Sequence, residues 1–148
     1  MNIYLDNCCY SRPFDDQGQD RIHLESEAVL AIIKRGRLKQ DNIWGSPALK
    51  LEMDGINDIT KKEKVELLYQ IARNEITFSD DIALRASDIM GLSSIRSFDA
   101  IHIAAAEKGE VDYFLTTDTR LEKACEKLSL KVKVMNPLKY IAEVIEDE

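Results

Sequence analysis

Val111-Asp112-Tyr113-Phe114-Leu115-Thr116 is a short apolar run rich in aromatic and branched residues, and it ends at Thr117-Asp118. Its length and composition read as a buried strand. A helix follows from Asp118 to about Leu128, then a strand at Val132-Lys133-Val134, then a terminal helix from Pro137 to Ile145 with an acidic tail. Before the strand, Ser97 reads as the cap of a helix that carries Ala100, Ile103 and Ala104 and closes at Gly109. Strands separated by helices in this way require crossover connections, which give a parallel sheet.

The N-terminal half follows the same grammar. Ile3-Tyr4-Leu5 is a strand stopped by Asp6-Asn7, and a turn-rich stretch surrounds Arg12-Pro13-Phe14-Asp15-Asp16-Gln17-Gly18. A helix then places Leu24, Ala28 and Ile32 on one stripe, with Val29 and Ile33 beside it and Gly36 closing the run. Asn42-Ile43-Trp44-Gly45 reads as a second strand, and Ser46-Pro47 starts a helix towards Gly55. Further helices are expected from Thr60 through Arg73 and from Ser79-Asp80 to near Gly91, with a strand at Glu75-Ile76-Thr77-Phe78 between them. The expected fold is a three-layer α/β/α sandwich around a central parallel sheet, formed by one domain over residues 1–148.

Composition narrows the function. Apolar residues make up 45% and charged residues 32%, which is an ordinary soluble balance. The longest apolar run, Ala28 to Ile33, is too short to span a bilayer, and Met1 to Asp6 lacks the features of a signal peptide. Three cysteines, Cys8, Cys9 and Cys125, form no disulfide or C-x-x-C pattern and read as apolar fillers in a cytoplasmic protein. A net charge of −7 argues against a plain nucleic-acid-binding module, which needs cations for phosphates. It leaves room for a metal-dependent nuclease, whose acids are the ligands.

Ligands of open α/β sheets bind beyond the carboxyl ends of the strands. Asp6 and Asp118 both stand there, Asp99 lies in the first turn of the helix after Arg96, and Glu52 lies on the helix after the second strand. Singly, each has a plain structural explanation: Asp118 as a helix cap, Asp99 as a favourable dipole partner, Glu52 as an exposed helix residue. Together, several carboxylates at one edge repel one another unless protonated or neutralised, and a hard divalent cation is the natural partner.

Three segments carry a family resemblance: Ile3-Tyr4-Leu5-Asp6, Ser97-Phe98-Asp99-Ala100-Ile101-His102-Ile103-Ala104-Ala105-Ala106, and Phe114-Leu115-Thr116-Thr117-Asp118. In order, spacing and sheet position the chain resembles the PIN domain family, including its VapC-type toxins. The resemblance implies an endoribonuclease acting on single-stranded or looped RNA with Mg²⁺ or Mn²⁺. It implies catalytic Asp6, Glu52, Asp99 and Asp118, with Asp6, Asp99 and Asp118 as metal ligands and Thr116 in support. It also implies a small antitoxin partner and a homodimer, with a non-catalytic PIN-like RNA- or protein-binding module as the alternative.

Arg12, Arg96 and Arg120 stand near these acids as candidate phosphate contacts, while Asp20, Glu25 and Glu27 are rival acids. His102, three residues after Asp99, reads as a core or surface histidine with no assigned role. A phosphotransferase with Asp6 as nucleophile would carry a second Asp two residues on, where this chain has Cys8.

Overall fold

The computed structural model describes residues 1–146, so the last two residues of the acidic tail lie outside it. The strands are β1 (Asn2–Leu5), β2 (Asn42–Gly45), β3 (Asn74–Glu75), β4 (Tyr113–Leu115) and β5 (Lys133–Met135). Every pairing is parallel and the order is β3-β2-β1-β4-β5. The helices are α1 (Asn7–Ser11), α2 (Asp20–Arg37), α3 (Pro47–Asp54), α4 (Ile59–Tyr69), α5 (Asp80–Leu92), α6 (Ser97–Lys108), α7 (Thr119–Glu126) and α8 (Pro137–Tyr140). A 3₁₀ turn at Arg12–Phe14 follows α1, and α8 runs on into a π-helical turn at Ile141–Ile145.

Successive side chains of a strand face opposite sides of the sheet, yet Ile3, Tyr4 and Leu5 are all fully buried. Tyr113, Phe114 and Leu115 are buried likewise. Both faces are therefore covered by helices, as the three-layer expectation requires. The chain winds from β1 to β2 and β3 on one side, and from there crosses back to β4 and β5 on the other. The crevice between β1 and β4 is thus the switch point of the sheet, where such folds bind ligands.

Several local expectations need correction. The stretch after Asp6 is not simply turns: Asn7–Ser11 forms α1, held by burial of Cys9 and Tyr10 and capped by the Asp6 carboxylate. Packing overrides weak helix propensity in so short a segment. Leu24 is exposed rather than on the buried stripe of α2. Gly36 does not close α2, which continues to Arg37; it lies where a Cβ would sit 2.6 Å from the Ile43 side chain, so the helix needs it for close packing on β2. β3 stops at Glu75, because Thr77 and Phe78 are exposed and only Ile76 turns inward. α4 ends at Tyr69 rather than Arg73, and Tyr69 crosses so close to Gly45 that any Cβ there would overlap its ring hydroxyl. Ser97 is the first residue of α6 and not its cap; Arg96 holds the cap position, with no side-chain hydrogen bond.

Candidate metal centre at the carboxyl edge

The register of β1 on β4 builds the centre. Leu5 pairs with Leu115, so Asp6 and Thr116 leave the sheet side by side. The Asp6 N–H donates to Leu115 O at 2.9 Å, and the Thr116 hydroxyl donates to Asp6 Oδ2 at 2.9 Å. The other carboxylate oxygen accepts the Asn7 N–H at 2.8 Å, which starts α1. Asp6 is buried and has no cationic partner among the described residues. Its carboxyl is pushed well above the usual carboxylate range, first by burial, then by the neighbouring Cys8; Asp99 adds to the effect, and His102 and the Thr116 hydrogen bond oppose it.

Asp99 projects from the first turn of α6, half-buried, with no hydrogen bond or ion pair among the described residues. Burial is the main cause that raises it, and the charges of Asp118 and Glu52 push in the same direction. Asp118 does cap α7, as its Oδ1 accepts N–H groups from Arg120 at 3.0 Å and Leu121 at 3.2 Å. Among the described residues its Oδ2 accepts no hydrogen bond. Asp99 and Asp118 line one pocket together with Arg96, Arg120, Ile95 and Leu121. Glu52, on α3, is half-buried and hydrogen-bonds His102 Nε2.

Of the four acids named from the sequence, Asp6 and Glu52 lie together with His102, their ligand atoms within 4.8 Å of one another, while Asp99 and Asp118 share a pocket that neither of the first two lines. Thr116, buried, holds Asp6 and also accepts the Asp118 N–H at 3.1 Å. The rival acids do not join them: Glu25 is buried in ion pairs with Arg12 and Arg21, Asp20 is exposed at the start of α2, and Glu27 is exposed beside His23. Arg12 is built into the fold by Glu25 and Asp15, at 3.2 Å each, whereas Arg96 and Arg120 are exposed and form no ion pair among the described residues. Cys9 and Cys125 are the buried fillers expected; Cys8 instead reaches the site, with Sγ 3.4 Å from Asp6 Oδ2.

Two residues escaped the sequence reading. Arg21 donates to Thr117 O at 3.2 Å and Thr119 Oγ1 at 2.7 Å, tying α2 to the loop that carries Asp118. His102 is fully buried, and one of its ring nitrogens lies within 4.8 Å of a carboxylate oxygen from each of Asp6 and Glu52. Its position three residues after Asp99 was the only signal. The donor chemistry suits a hard cation: carboxylate oxygens predominate, and burying Asp6 without a counter-charge is costly unless a cation or proton completes it.

The family model described as PIN domain matches residues 23–127. The chain belongs to the PIN domain family. Asp6 precedes the matched stretch of this PIN domain, and the register of β1 sets it beside Thr116 within that stretch. Two solved structures share the fold. One is VapBC2 from Rickettsia felis bound to a DNA fragment from their promoter, with TM-score 0.63 and 11% identity, covering 92% of this chain and 98% of that one. The other is FitAB bound to an IR36 DNA fragment, with TM-score 0.59 and 20% identity, covering 92% of this chain and 95% of that one. No curated relative matches the sequence. Among the described residues, no helix of the PIN domain is long and apolar enough to cross a membrane.

Proposed function

We propose that this PIN-domain protein is a metal-dependent endoribonuclease that hydrolyses single-stranded or looped RNA at the cluster of Asp6, Glu52, Asp99 and Asp118. One observation carries the reading: Asp6 is buried with only neutral donors among the described residues, and its carboxylate lies within 4.8 Å of a second carboxylate, that of Glu52. Mutual repulsion of this kind lowers stability unless a ligand relieves it. Asp6, Asp99 and Asp118 are the residues to hold Mg²⁺ or Mn²⁺, with an oxygen of Glu52, beside Asp6, to complete the set. When bound, such an ion supplies Lewis-acid charge for a phosphodiester and lowers the pKa of a coordinated water.

The chain's own groups do the rest. The Thr116 hydroxyl fixes the orientation of the Asp6 carboxylate, and the α7 N-terminus fixes Asp118. Arg96 and Arg120, exposed beside Asp99 and Asp118, are placed to hold phosphates of a single strand. Arg12 is withdrawn from that role by its ion pairs. As the resemblance implies, a small antitoxin is the expected protein partner and a homodimer the expected assembly; exposed Leu84 and Leu92 on α5 supply apolar surface for one of them. A cytoplasmic location is consistent with three free cysteines.

The test is cleavage of a mixed-sequence single-stranded RNA by purified protein with Mn²⁺, Mg²⁺ or EDTA, alongside Asp6→Asn. The expected result is cleavage with metal and none in EDTA or in the variant. Cleavage that survives EDTA, or Mn²⁺-dependent cleavage retained in Asp6→Asn, Asp99→Asn and Asp118→Asn alike, would sink the assignment.

A further inference from the structure

A buried polar chain runs behind the acids. Leu49 N–H donates to Ser46 Oγ at 3.4 Å, Ser46 Oγ lies 2.7 Å from the Tyr4 hydroxyl, and that hydroxyl lies 2.6 Å from His102 Nδ1. His102 Nε2 meets Glu52 Oε1. Ser46, Tyr4 and His102 are all fully buried, so no solvent hydrogen bond can substitute for any of these.

For a neutral His102 ring, counting hydrogens from the two ends sets the direction of each bond. An ionised carboxylate only accepts, so the hydrogen facing Glu52 sits on His102 Nε2. Nδ1 of the same ring then accepts, and the Tyr4 hydroxyl is its donor. Burial holds the Tyr4 phenol well above its ordinary pKa, which keeps that hydrogen in place. Ser46, which already accepts from Leu49, donates its hydroxyl hydrogen to the Tyr4 oxygen. Every hydrogen in the chain has an acceptor. With the ring hydrogen on Nδ1 instead, Nε2 would turn a lone pair on the Glu52 oxygen.

We infer that His102 is a positioning residue for the metal centre: carrying its hydrogen on Nε2, it holds one oxygen of Glu52, frees the other for the cation, and is not itself a ligand. The inference rests on the metal-centre reading above. It gives the nearby nitrogen a second consequence. With Nε2 committed to Glu52, the ligands left are carboxylate oxygens, which suit Mg²⁺ and Mn²⁺, while imidazole ligands favour zinc and its neighbours.

Long-range proton–nitrogen NMR of the full chain, ¹⁵N-labelled at histidine, reads the tautomer, with His23→Gln removing the only other histidine signal. The expected spectrum has the His102 hydrogen on Nε2, both without metal and after Mg²⁺ is added. A hydrogen on Nδ1, or direct coordination of Nε2 by Mg²⁺, overturns the inference. Mn²⁺ affinity supplies the second reading. Loss of a partner that orients a ligand weakens binding about 10- to 100-fold, and that loss is expected for His102→Leu. His102→Gln keeps an N–H for Glu52 and is expected to recover most of it; unchanged affinity in a folded His102→Leu overturns the role. Tyr4→Phe, a milder change, is expected to mix the two tautomers. If the wild-type chain binds Mn²⁺ with the Nε2–H tautomer yet cuts no RNA, the nuclease reading falls and the positioning role stands. If it binds neither ion, both fall.

Discussion

Buried acids stand at both ends of this sheet, and one of them, Asp6, is treated unlike the others; even Glu25, near it at the carboxyl edge, is paired with Arg12 and Arg21. At the amino edge, Asp41 is 2% exposed and is met by Arg35 at 2.8 Å, by the N-terminal amine at 3.3 Å and by the Tyr140 hydroxyl at 3.2 Å. Glu107, 8% exposed, is held by Arg85 at 2.7 Å and the Lys131 N–H at 2.8 Å. At the carboxyl edge, Asp6 is 5% exposed and receives only neutral donors. Burial alone therefore does not distinguish a structural acid from a functional one; the missing counter-charge does. Proteins tolerate such a local deficit where a ligand completes it, at a cost in stability.

Neutralising one acid at each end separates the two roles most sharply. Asp6→Asn is expected to lower cleavage roughly 10²- to 10⁴-fold, since it removes a ligand; its one remaining oxygen can still accept the Asn7 N–H, while the Thr116 hydroxyl must turn to accept from the new amide. Its melting temperature without metal is expected to hold or rise. Asp41→Asn is expected to do the reverse: stability falls by about 1–3 kcal/mol because charge-assisted hydrogen bonds are lost, while activity per folded molecule persists. Melting curves and cleavage rates on the same preparations decide it. If Asp6→Asn destabilises the metal-free chain as Asp41→Asn does, the contrast between the edges fails.

Metal should close the deficit and raise stability by mass action. At an ion concentration 100 times Kd, the gain is about 2.7 kcal/mol, and Asp6→Asn should lose most of it. No shift in the melting temperature of the wild type at millimolar Mn²⁺ would remove the centre as drawn.

The pH dependence follows from the direction of the shifts. Asp6 and Asp99 are raised in the fold, so the folded chain holds their protons more tightly than the unfolded chain does. Their contribution is most favourable below the ordinary carboxylate pKa and is lost as pH rises towards the raised values. Metal-free protein is therefore expected to lose stability from about pH 4 upwards, at roughly 3–4 °C per kcal/mol in a chain of this size. Saturating Mg²⁺ should flatten the slope at neutral pH. A metal-free melting temperature that climbs from acid to neutral pH in wild type, and in Asp6→Asn by the same amount, would contradict the raised carboxyls.

Which parts were legible in the sequence depends on what each part rests on. β1 and β4 were readable because strands buried on both faces are continuous apolar runs, and the acids after them followed from their position; β2 was readable from Ile43-Trp44 and the Ser46-Pro47 helix start behind it. α1 was hidden: five residues with poor propensity are helical only because Cys9 and Tyr10 are buried and Asp6 caps them. β3 was overextended because an edge strand needs pairing on one side only. Glu52 and Asp118 were named from their places after β2 and β4, yet the hydrogen bond from His102 to Glu52 joins residues fifty positions apart. No local pattern encodes such a contact. The same holds for Arg12, whose ion pair with Glu25 forms only once the chain has turned back through α2.

That last ion pair gives the smallest and most specific contrast, between two arginines a sequence reading treats alike. Arg12 is mostly covered and Arg120 is exposed at the pocket. Arg12→Ala leaves the buried Glu25 with Arg21 as its remaining ion-pair partner, itself more than half exposed, so stability should drop by about 1–2 kcal/mol. Arg120→Ala should change stability by less than about 0.5 kcal/mol. On single-stranded RNA the order reverses. Each phosphate contact contributes about −0.7 to the slope of log affinity against log salt, so Arg120→Ala should flatten the slope by about that amount and Arg12→Ala should leave it unchanged. The Asp6→Asn background prevents cleavage during the titration. Equal slopes for wild type and Arg120→Ala would take the arginine out of the proposed phosphate contacts.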